Sequence, residues 1–415
     1  MTASTQAPPA TMMERILHLM VQKKASDVLL SAHAPATIKI NGDCFPISNQ
    51  LMPVDGPINL LKEVLPPKRI DELLETGELN MALHRHNVGS FRISAMRQRG
   101  TYAAVIRFIN SQIGSLDDLN LPPVLAKLVM EERGLILMAG ATGAGKSTTL
   151  AAMIEHRNQH MAGHILTIED PVEYTFTNKK SVINQREVGS DTADMQIGLK
   201  NALRQAPDVI MIGEIRDRET MSAAIAYAQS GHICLATLHA NNSQQALHRI
   251  LTFYPAEVRP TLLSDLAAAL RSIVSQRLLK SVDGKRTPAM EVLINTKLIQ
   301  ELIEEGDLPG IKEAMDNSIA EGSQTFEQDL ARLVTEGRVE RNEALAFADS
   351  PTNLLWRLQN EAGRHALVAE DRPSDEPSFT EIALDIKPSG FRTTGFGPST
   401  FGSSGFDNLR FKPQQ

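Results

Sequence analysis

The sequence has few cysteines and no long apolar run. Its 415 residues include two cysteines, Cys44 and Cys234, which lie far apart in unrelated contexts. Two isolated thiols are typical of a reducing compartment and provide neither a disulfide framework nor a metal-binding spacing. No segment approaches the roughly eighteen consecutive apolar residues that a membrane-spanning helix needs. The polar N-terminus, Met1 to Thr11, also lacks the basic and apolar parts of a signal peptide.

An excess of basic residues is also missing. Lys and Arg number 42 against 49 Asp and Glu, which gives a net charge of -7. Proteins that bind nucleic acid over a broad surface usually carry the opposite charge, so we expect no nucleic-acid partner. The hydrophobic content of 42% and charged content of 22% are ordinary for a soluble globular protein. A chain of this length is expected to contain roughly two or three domains.

The most informative segment is GATGAGKS, which fits the P-loop pattern G-x-x-x-x-G-K-[ST]. A short apolar run, Leu135 to Ala139, precedes it, and a helical pattern follows it. A strand, a glycine loop and a helix N-terminus together leave backbone N–H groups that converge on one point and bind anions there. The sequence therefore predicts a nucleoside triphosphate site formed by Gly140, Ala141, Thr142, Gly143, Ala144, Gly145, Lys146, Ser147 and Thr148.

Two side chains of this segment have distinct expected roles. Lys146 would place a positive charge on the outer phosphates, and the Ser147 hydroxyl would bind Mg²⁺. The alternative interpretation is a chance glycine turn, but it leaves four fixed residues in a strand–helix context unexplained. We therefore expect ATP and Mg²⁺ as cofactors.

The pattern of apolar residues divides the chain into segments. Residues 12–112 alternate short strands and helices and predict a small α+β domain, followed by a linker over 113–123. Residues 124–285 alternate strand and helix, which predicts an α/β domain with a parallel sheet. Glu257 to Leu279 is Leu- and Ala-rich and predicts a long helix or a helix pair. Residues 286–360 have mainly helical patterns.

The last part of the chain, residues 364–415, is dominated by Gly, Ser, Thr, Pro and mixed charge, which predicts disorder. Its end carries a phenylalanine at every fifth position. A period of five suits neither a helix face nor a strand face. Two interpretations stay open, namely sequence drift in an unstructured tail and a set of aromatic contacts for a partner. The residues concerned are Phe391, Phe396, Phe401, Phe406 and Phe411.

Two predicted strands of the α/β segment end in carboxylates. Val209 to Ile212 leads into Gly213 and Glu214, and ligands of parallel sheets bind beyond the carboxyl ends of the strands. Glu214 would then lie beside the P-loop and could hold a magnesium-bound water or activate the attacking water. The second strand leads into the acidic segment Glu169 to Glu173, whose charges need a cation or arginines nearby. The alternatives are a surface glutamate and a solvated acidic loop.

A third strand, Ile233 to Leu238, has a histidine at each end. His239 follows its carboxyl end and would lie near the γ-phosphate as a polar sensor, whereas His232 would face a neighbouring domain or subunit. A single core histidine more often makes one structural hydrogen bond. The two positions would lie too far apart to ligate one zinc ion.

The P-loop, the acidic segment, the strand ending at Glu214 and the two-histidine strand occur in this order over roughly residues 12–360. This arrangement resembles the secretion ATPase superfamily of type IV pili and type II secretion. Within the superfamily the chain is similar to the retraction ATPases of the PilT and PilU type. Three segments are more similar to PilU, namely Ile311 to Met315, Gly322 to Gln328 and Ala348-Asp349-Ser350.

The resemblance implies a PAS-like N-terminal domain, a RecA-like ATPase domain and a homo-hexameric ring. It implies that Glu214 is the catalytic glutamate, contacting Mg²⁺ through water, and that Glu169 supports the metal and the water. Family members also bring N-terminal arginines to the nucleotide. The candidates for that role are Arg92, Arg97, Arg99 and Arg107, of which we select Arg97 and Arg107, and His239 completes the expected catalytic set.

The resemblance further implies a cytoplasmic motor at the inner face of the cytoplasmic membrane, associated with the membrane only through a partner. That partner would be the inner-membrane pilus platform protein, and the output would be pilus retraction and twitching motility. Two departures matter. Gly213 occupies the usual Walker B aspartate position, a trait that this family shares, and Leu298-Ile299-Gln300 lacks the arginine of a retraction motif. The second departure favours a PilU-like accessory of a PilT-like ATPase.

Two alternatives to an accessory motor remain. The chain could be a nucleotide-binding scaffold of a PilT-containing complex whose own turnover is dispensable. It could also be an extension or secretion ATPase, but that branch often carries a cysteine-based zinc site, for which two isolated cysteines give no support.

Overall fold

The computed structural model describes residues 11–370 apart from 41, 86, 87, 110 and 111, and it describes side chains as far as residue 360. The five phenylalanines of the predicted tail, with the rest of residues 371–415, lie outside the described residues. Within the described part of the chain, no helix is both long and apolar enough to cross a bilayer.

Six strands of the described N-terminal part form one antiparallel sheet. They are β1 (Asp27–Ser31), β2 (Thr37–Ile40), β3 (Asp43–Pro46), β4 (Glu78–Arg85), β5 (Gly89–Gln98) and β6 (Thr101–Ile109). Across the sheet their order is β3-β2-β1-β6-β5-β4. The helices that accompany it are α1 (Met12–Lys23), α2 (Gly56–Lys62) and α3 (Pro67–Thr76).

The first helix shows why this part of the chain folds as it does. Thr11 caps α1 by accepting a hydrogen bond from the backbone N–H of Glu14 at 3.3 Å. Its buried residues, Met13, Ile16, Leu17 and Met20, recur at helical spacing and therefore lie on one face. That face packs into the same core as Phe91 of β5.

The second sheet contains seven strands among the described residues, in the order β13-β12-β7-β11-β10-β8-β9. All neighbours are parallel except β12 and β13. Strands β7, β10 and β11 are fully buried, which explains their continuous apolar sequences. The strands are β7 (Gly134–Ala139), β8 (Gly163–Glu169), β9 (Ser181–Glu187), β10 (Val209–Ile212), β11 (Ile233–Leu238), β12 (Leu270–Lys280) and β13 (Arg286–Ile294).

Helices cover this second sheet on both faces. One apolar core contains residues of α6 to α11, and a separate core contains residues of α4 and α5. A further small core joins α12, α13 and α14 to the hairpin of β12 and β13. The helices are α4 (Val124–Val129), α5 (Lys146–His160), α6 (Met195–Ala202), α7 (Arg218–Gln229), α8 (Ser243–Thr252), α9 (Arg259–Ala269), α10 (Lys297–Glu305), α11 (Leu308–Asp316), α12 (Phe326–Thr335), α13 (Arg341–Phe347) and α14 (Pro351–Glu370).

The predicted α/β class is confirmed, but β4 of the first sheet and three strands of the second sheet were not predicted. The helix expected over Glu257 to Leu279 is wrong in its second half, because α9 ends at Ala269 and β12 follows. Likewise, residues 286–294 form β13 rather than helix. Strand β12 lies between β7 and β13, and most of its residues are buried. It therefore has no solvent-exposed polar face, and its sequence lacks the polar–apolar alternation that identifies a strand. Strand β9 was also missed.

We predict that Phe91→Ala destabilises the N-terminal sheet by about 3–5 kcal/mol, because it leaves a cavity at a fully buried ring that packs 5.5 Å from Phe108. Denaturant-dependent hydrogen exchange of residues 89–109 measures this local free energy of unfolding. The control is Met96→Ala in the same strand, whose residue is 39% exposed and should matter far less. Equal losses for the two variants would contradict the assigned core.

Candidate nucleotide-binding site

The glycine loop between β7 and α5 is closely packed against β12. A Cβ atom on Gly140 would lie 2.8 Å from the carbonyl oxygen of Gln276, and one on Gly145 would lie 2.8 Å from the amide nitrogen of the Gln276 side chain. Both glycines also have positive φ angles, 156° and 89°. The side chain of Gln276 accepts a hydrogen bond of 2.7 Å from the Thr149 hydroxyl of α5. Strand β12 thus fixes both ends of the loop.

Lys146 is held by the loop itself. Its Nζ donates to the carbonyl oxygens of Gly140 and Ala141, at 2.8 and 2.9 Å. Burial lowers the pKa of Lys146, while the negative charges of Glu214 and Glu173 act in the opposite direction. Phosphate oxygens would be stronger acceptors than these two carbonyls, since they carry charge. The ammonium group is therefore positioned for an anion in the loop.

A cleft of about 180 Å³ opens beside the loop. The loop contributes Lys146 and Ser147 to its lining, and the carboxyl ends of three parallel strands contribute Glu169, Glu214 and His239. The structure thus brings together most of the residues that the sequence analysis selected. The reason is the in-register parallel pairing of β8, β10 and β11, which ends all three strands at one edge of the sheet.

Glu214 is held at the rim of the cleft by two neighbours. One carboxylate oxygen lies 3.0 Å from Nε2 of His239, and the other accepts a hydrogen bond of 2.8 Å from Nε of Arg216. The carboxylate is 22% exposed, so it retains access to water. Below it, the Thr237 hydroxyl donates to the carbonyl oxygen of Gly213 at 2.5 Å. These contacts orient an acceptor toward the space above the P-loop.

Glu169 is the more deeply buried carboxylate, at 5% exposure. Burial raises its pKa, and this effect exceeds the opposing hydrogen bonds from Thr167 and Gln185. The Thr167 hydroxyl donates to Glu169 at 2.6 Å, and the Gln185 amide donates to the same oxygen at 3.2 Å. A buried carboxylate with a raised pKa can take up a proton more readily than an exposed one.

Strand β9 carries two site residues that the sequence analysis missed. Gln185 donates to the carbonyl oxygen of Tyr174 at 2.7 Å and so holds the segment that follows Glu169. Glu187, which is 4% exposed, accepts hydrogen bonds from the backbone N–H groups of Val172 and Ala82, at 3.1 and 3.0 Å. The strand gave little signal, because its sequence from Ser181 to Glu187 is mostly polar and does not alternate between polar and apolar residues.

Two of the four candidate arginines face the acidic segment of their own chain. Arg92 and Arg107 are opposite each other on β5 and β6. With Glu173 and Tyr174 they line a small cleft of about 190 Å³. Arg107 also pairs with Asp27 at 2.8 Å, which fixes its guanidinium group.

Arg97 and Arg99 have other surroundings. The Arg97 guanidinium donates to the carbonyl oxygen of Leu74 and to the Tyr102 hydroxyl, rather than contributing to the lining of the nucleotide cleft of its own chain. Arg99 is exposed in the turn between β5 and β6. The catalytic role of Arg97 therefore stays a prediction. Within one chain, Arg92, which was not selected, lies closer to the acidic segment than Arg97 does.

Comparison with known proteins bears on this geometry. The family model described as "Type II/IV secretion system protein" matches residues 3–346. The chain is 44% identical over 347 residues to the type IV pilus ATPase PilU of Pseudomonas aeruginosa. This match covers 83% of this chain and 91% of that protein. It is 35% identical over 338 residues to the type IV pilus retraction ATPase PilT of the same organism, covering 81% and 98%. The chain belongs to this family.

A solved structure agrees with the assignment. The pilus retraction motor PilT with bound ADP matches with a TM-score of 0.77 and 37% identity, covering 83% of this chain and 98% of that chain. The predicted resemblance to PilT- and PilU-type ATPases is confirmed, and the chain is an ATPase of this type. A nucleotide is thus a ligand of this chain.

The cleft of this ATPase also suits Mg²⁺, judged by the chemistry of its donors. Among the described residues, no group of three or more His, Cys, Asp or Glu side chains could hold a metal by itself. Magnesium at nucleotide sites is instead bound by one or two protein oxygens together with phosphates and waters. The Ser147 hydroxyl and the carboxylates of Glu169 and Glu214 supply such oxygens in one cleft.

Packing explains the glycine at the usual Walker B aspartate position. A Cβ atom on Gly213 would lie 3.1 Å from Cα of Glu169 and 3.3 Å from the carbonyl oxygen of Ile168. The backbone that follows β10 is hydrogen-bonded to β8 there, because the N–H of Gly213 donates to the carbonyl oxygen of Ile168 at 2.8 Å. A side chain at this position would press on the backbone that carries Glu169.

We predict that Gly213→Ala lowers kcat by about ten- to a hundredfold, because small displacements of catalytic groups have effects of this size. Nucleotide affinity should change little, since the P-loop is untouched. Steady-state hydrolysis and equilibrium binding of a fluorescent ATP analogue measure the two quantities. Gly337→Ala is the control for a general loss of stability, because its φ of 68° strains an alanine although no atom lies within 4 Å of the added Cβ. A wild-type kcat for Gly213→Ala would contradict the packing argument.

Proposed function

We propose that this ATPase hydrolyses MgATP to ADP and phosphate by in-line attack of water, with Glu214 as the general base. The observation that carries the proposal is the shared cleft of Lys146, Ser147 and Glu214. Arg216 and His239 hold the carboxylate in place. Phosphoryl transfer requires mainly positioned charge rather than covalent chemistry, and this cleft contains both a cation and an acceptor.

Each lining residue has a part in this scheme. Lys146 would exchange its two carbonyl acceptors for oxygens of the β- and γ-phosphates. Glu214 would orient the attacking water and take its proton, while His239 senses the γ-phosphate through its contact with Glu214. Ser147, Glu169 and, through water, Glu214 would hold Mg²⁺. When bound, Mg²⁺ neutralises charge that develops on the phosphates.

Hydrolysis would move the N-terminal part through contacts of the acidic segment. Glu187 joins the N–H of Val172 to the N–H of Ala82 on β4. Two residues beyond the acidic segment, the hydroxyl of Thr175 lies 3.0 Å from that of Ser90 and forms a second contact. A shift of this segment after loss of the γ-phosphate would therefore act directly on the N-terminal sheet.

We further propose that six copies form a ring in which N-terminal arginines serve a neighbouring nucleotide. Arg97 supports this idea because it lies away from the cleft of its own chain, and Arg107 because Asp27 holds it in place. A guanidinium group supplied from outside stabilises the charge of phosphoryl transfer.

The ring would act on an inner-membrane pilus platform protein from the cytoplasmic side and power pilus retraction and twitching motility. The 44% identity to PilU supports this output. On α10, Leu298-Ile299-Gln300 presents an exposed leucine and no arginine, with Leu298 54% exposed. This favours an accessory motor that works beside a PilT-like ATPase. The same observation favours the second candidate, a nucleotide-binding scaffold with dispensable turnover.

We expect Glu214→Gln to bind ATP with near wild-type affinity and to lower kcat by about 10²- to 10⁴-fold, because it removes the proton acceptor. Lys146→Ala should lose ATP binding itself. Isothermal titration with MgATP and a phosphate-release assay measure both. Glu219→Gln is the matched control, since this exposed glutamate lies five residues further along the chain. Full turnover by Glu214→Gln would remove the proposed general base.

A strain that carries Lys146→Ala separates the motor from the scaffold. We expect it to lose retraction against load, measured as pilus force in an optical trap, because this chain can then add no work from its own hydrolysis. Immunoblotting must show wild-type protein levels. Normal force generation in this strain would favour the scaffold and contradict a motor with required turnover.

A further inference from the structure

The loop that follows β11 has two ends with different partners. At its first residue, His239 contacts Glu214 in the nucleotide cleft at 3.0 Å. Of its last residues, Asn241 bonds Arg277 of β12, and Asn242 bonds Asp349, which lies between α13 and α14. We call residues 239–242 the sensor loop. Because only Ala240 lies between these ends, a shift of His239 cannot be absorbed by a long flexible segment.

Arg277 of β12 binds the far end of the sensor loop. Its guanidinium group donates to the carbonyl oxygen of Asn241 at 3.1 Å and to that of Phe347 at the end of α13. It also pairs with Asp349 and lies 3.8 Å from the centre of the Phe326 ring on α12. With 17% of its side chain exposed, Arg277 is a largely buried junction between the ATPase sheet and the C-terminal helices.

Asp349 completes the junction from the other side. One carboxylate oxygen binds Arg277, and the other accepts a hydrogen bond of 2.9 Å from the side-chain amide of Asn242. The next residue, Ser350, donates its N–H to the fully buried Glu327 of α12 at 2.7 Å. Asp349 belongs to the Ala348-Asp349-Ser350 segment, to which the proposed hydrolysis assigns no role.

The same junction is anchored near the P-loop. Gln276, the residue before Arg277, accepts the hydrogen bond from Thr149 of α5. On the other side, the buried Glu291 of β13 accepts a hydrogen bond of 2.6 Å from the N–H of Ser243, where α8 begins. The largely buried charge pair of Arg277 and Asp349 is costly to separate, since each partner would be left without its counter-charge. The junction is therefore expected to move as one unit.

We propose that Arg277 and Asp349 form a rigid link that transmits the nucleotide state from the sensor loop to the C-terminal helices α13 and α14. The proposal rests on nucleotide binding in the proposed cleft. When His239 and Glu214 engage a γ-phosphate, the sensor loop shifts, and the link carries that shift to the segment between α13 and α14. The C-terminal helices are then an output face distinct from the N-terminal sheet.

Hydrogen exchange of the full chain tests this link. We expect peptides from residues 341–360 to exchange differently with Mg²⁺ and a non-hydrolysable ATP analogue than with MgADP. In Asp349→Asn the amide keeps the size of the side chain but loses the charge that binds Arg277. This variant should lose the nucleotide-dependent difference, while its affinity for the analogue stays within about twofold, because Asp349 lies outside the cleft.

A second variant guards against simple unfolding. In the wild type, the side-chain oxygen of Asn242 caps α8 by accepting a hydrogen bond of 2.8 Å from the N–H of Gln245. Asn242→Asp keeps this oxygen but places a second carboxylate against Asp349. The matched control is Asp316→Asn. Asp316 pairs with Arg357 at 3.0 Å in the same C-terminal part, with 24% and 20% exposure, and Asp316→Asn leaves the sensor loop untouched.

Loss of the nucleotide-dependent difference in Asp349→Asn and Asn242→Asp, with its retention in Asp316→Asn, is the expected result. Three results would overturn the link but not the proposed function. The nucleotide-dependent difference could persist in Asp349→Asn and Asn242→Asp, it could be lost equally in all three variants, or it could be absent from a wild type that binds nucleotide. Failure of the wild type to bind the analogue would contradict the proposed function as well.

Discussion

The parallel, in-register pairing of β7, β11, β10 and β8 is the constraint on which the site depends. Strands paired in this way end at one edge, so the residues that follow them meet there whatever their separation in sequence. Ile212 pairs with Ile168 and Ala236, which brings Glu214, Glu169 and His239 to the mouth of the P-loop. The apolar runs of these strands are buried on both faces, and this fixes the edge rigidly.

Two buried polar connections lead away from this edge, toward opposite sides of the sheet. Strand β9, at one border, carries Glu187, which bonds both the acidic segment and the N-terminal sheet. Strand β12, toward the other border, carries Arg277, which bonds the sensor loop and the C-terminal helices. Since a buried polar group is expensive to leave without its partner, both connections favour concerted movement over independent sliding. One nucleotide site can thus act on two parts of the chain.

Local sequence patterns were enough to predict the centre of the site but not its supports. The P-loop and Glu214 follow from a motif and from a strand whose end is visible in the sequence. Strand β12 was assigned to a helix, because a strand buried on both faces shows no polar period. The positions of Arg92 and Arg97 also could not be predicted, since they depend on how β5 and β6 lie against the acidic segment. Such contacts are set by tertiary packing rather than by neighbours in sequence.

The most direct test is a structure of the assembled protein with Mg²⁺ and a non-hydrolysable ATP analogue. The account predicts that Nζ of Lys146 leaves the carbonyl oxygens of Gly140 and Ala141 and bonds phosphate oxygens instead. It also predicts that Glu214 faces the γ-phosphate across a single water molecule. A nucleotide bound outside the glycine loop, or a Glu214 carboxylate too far away to contact that water, would contradict it.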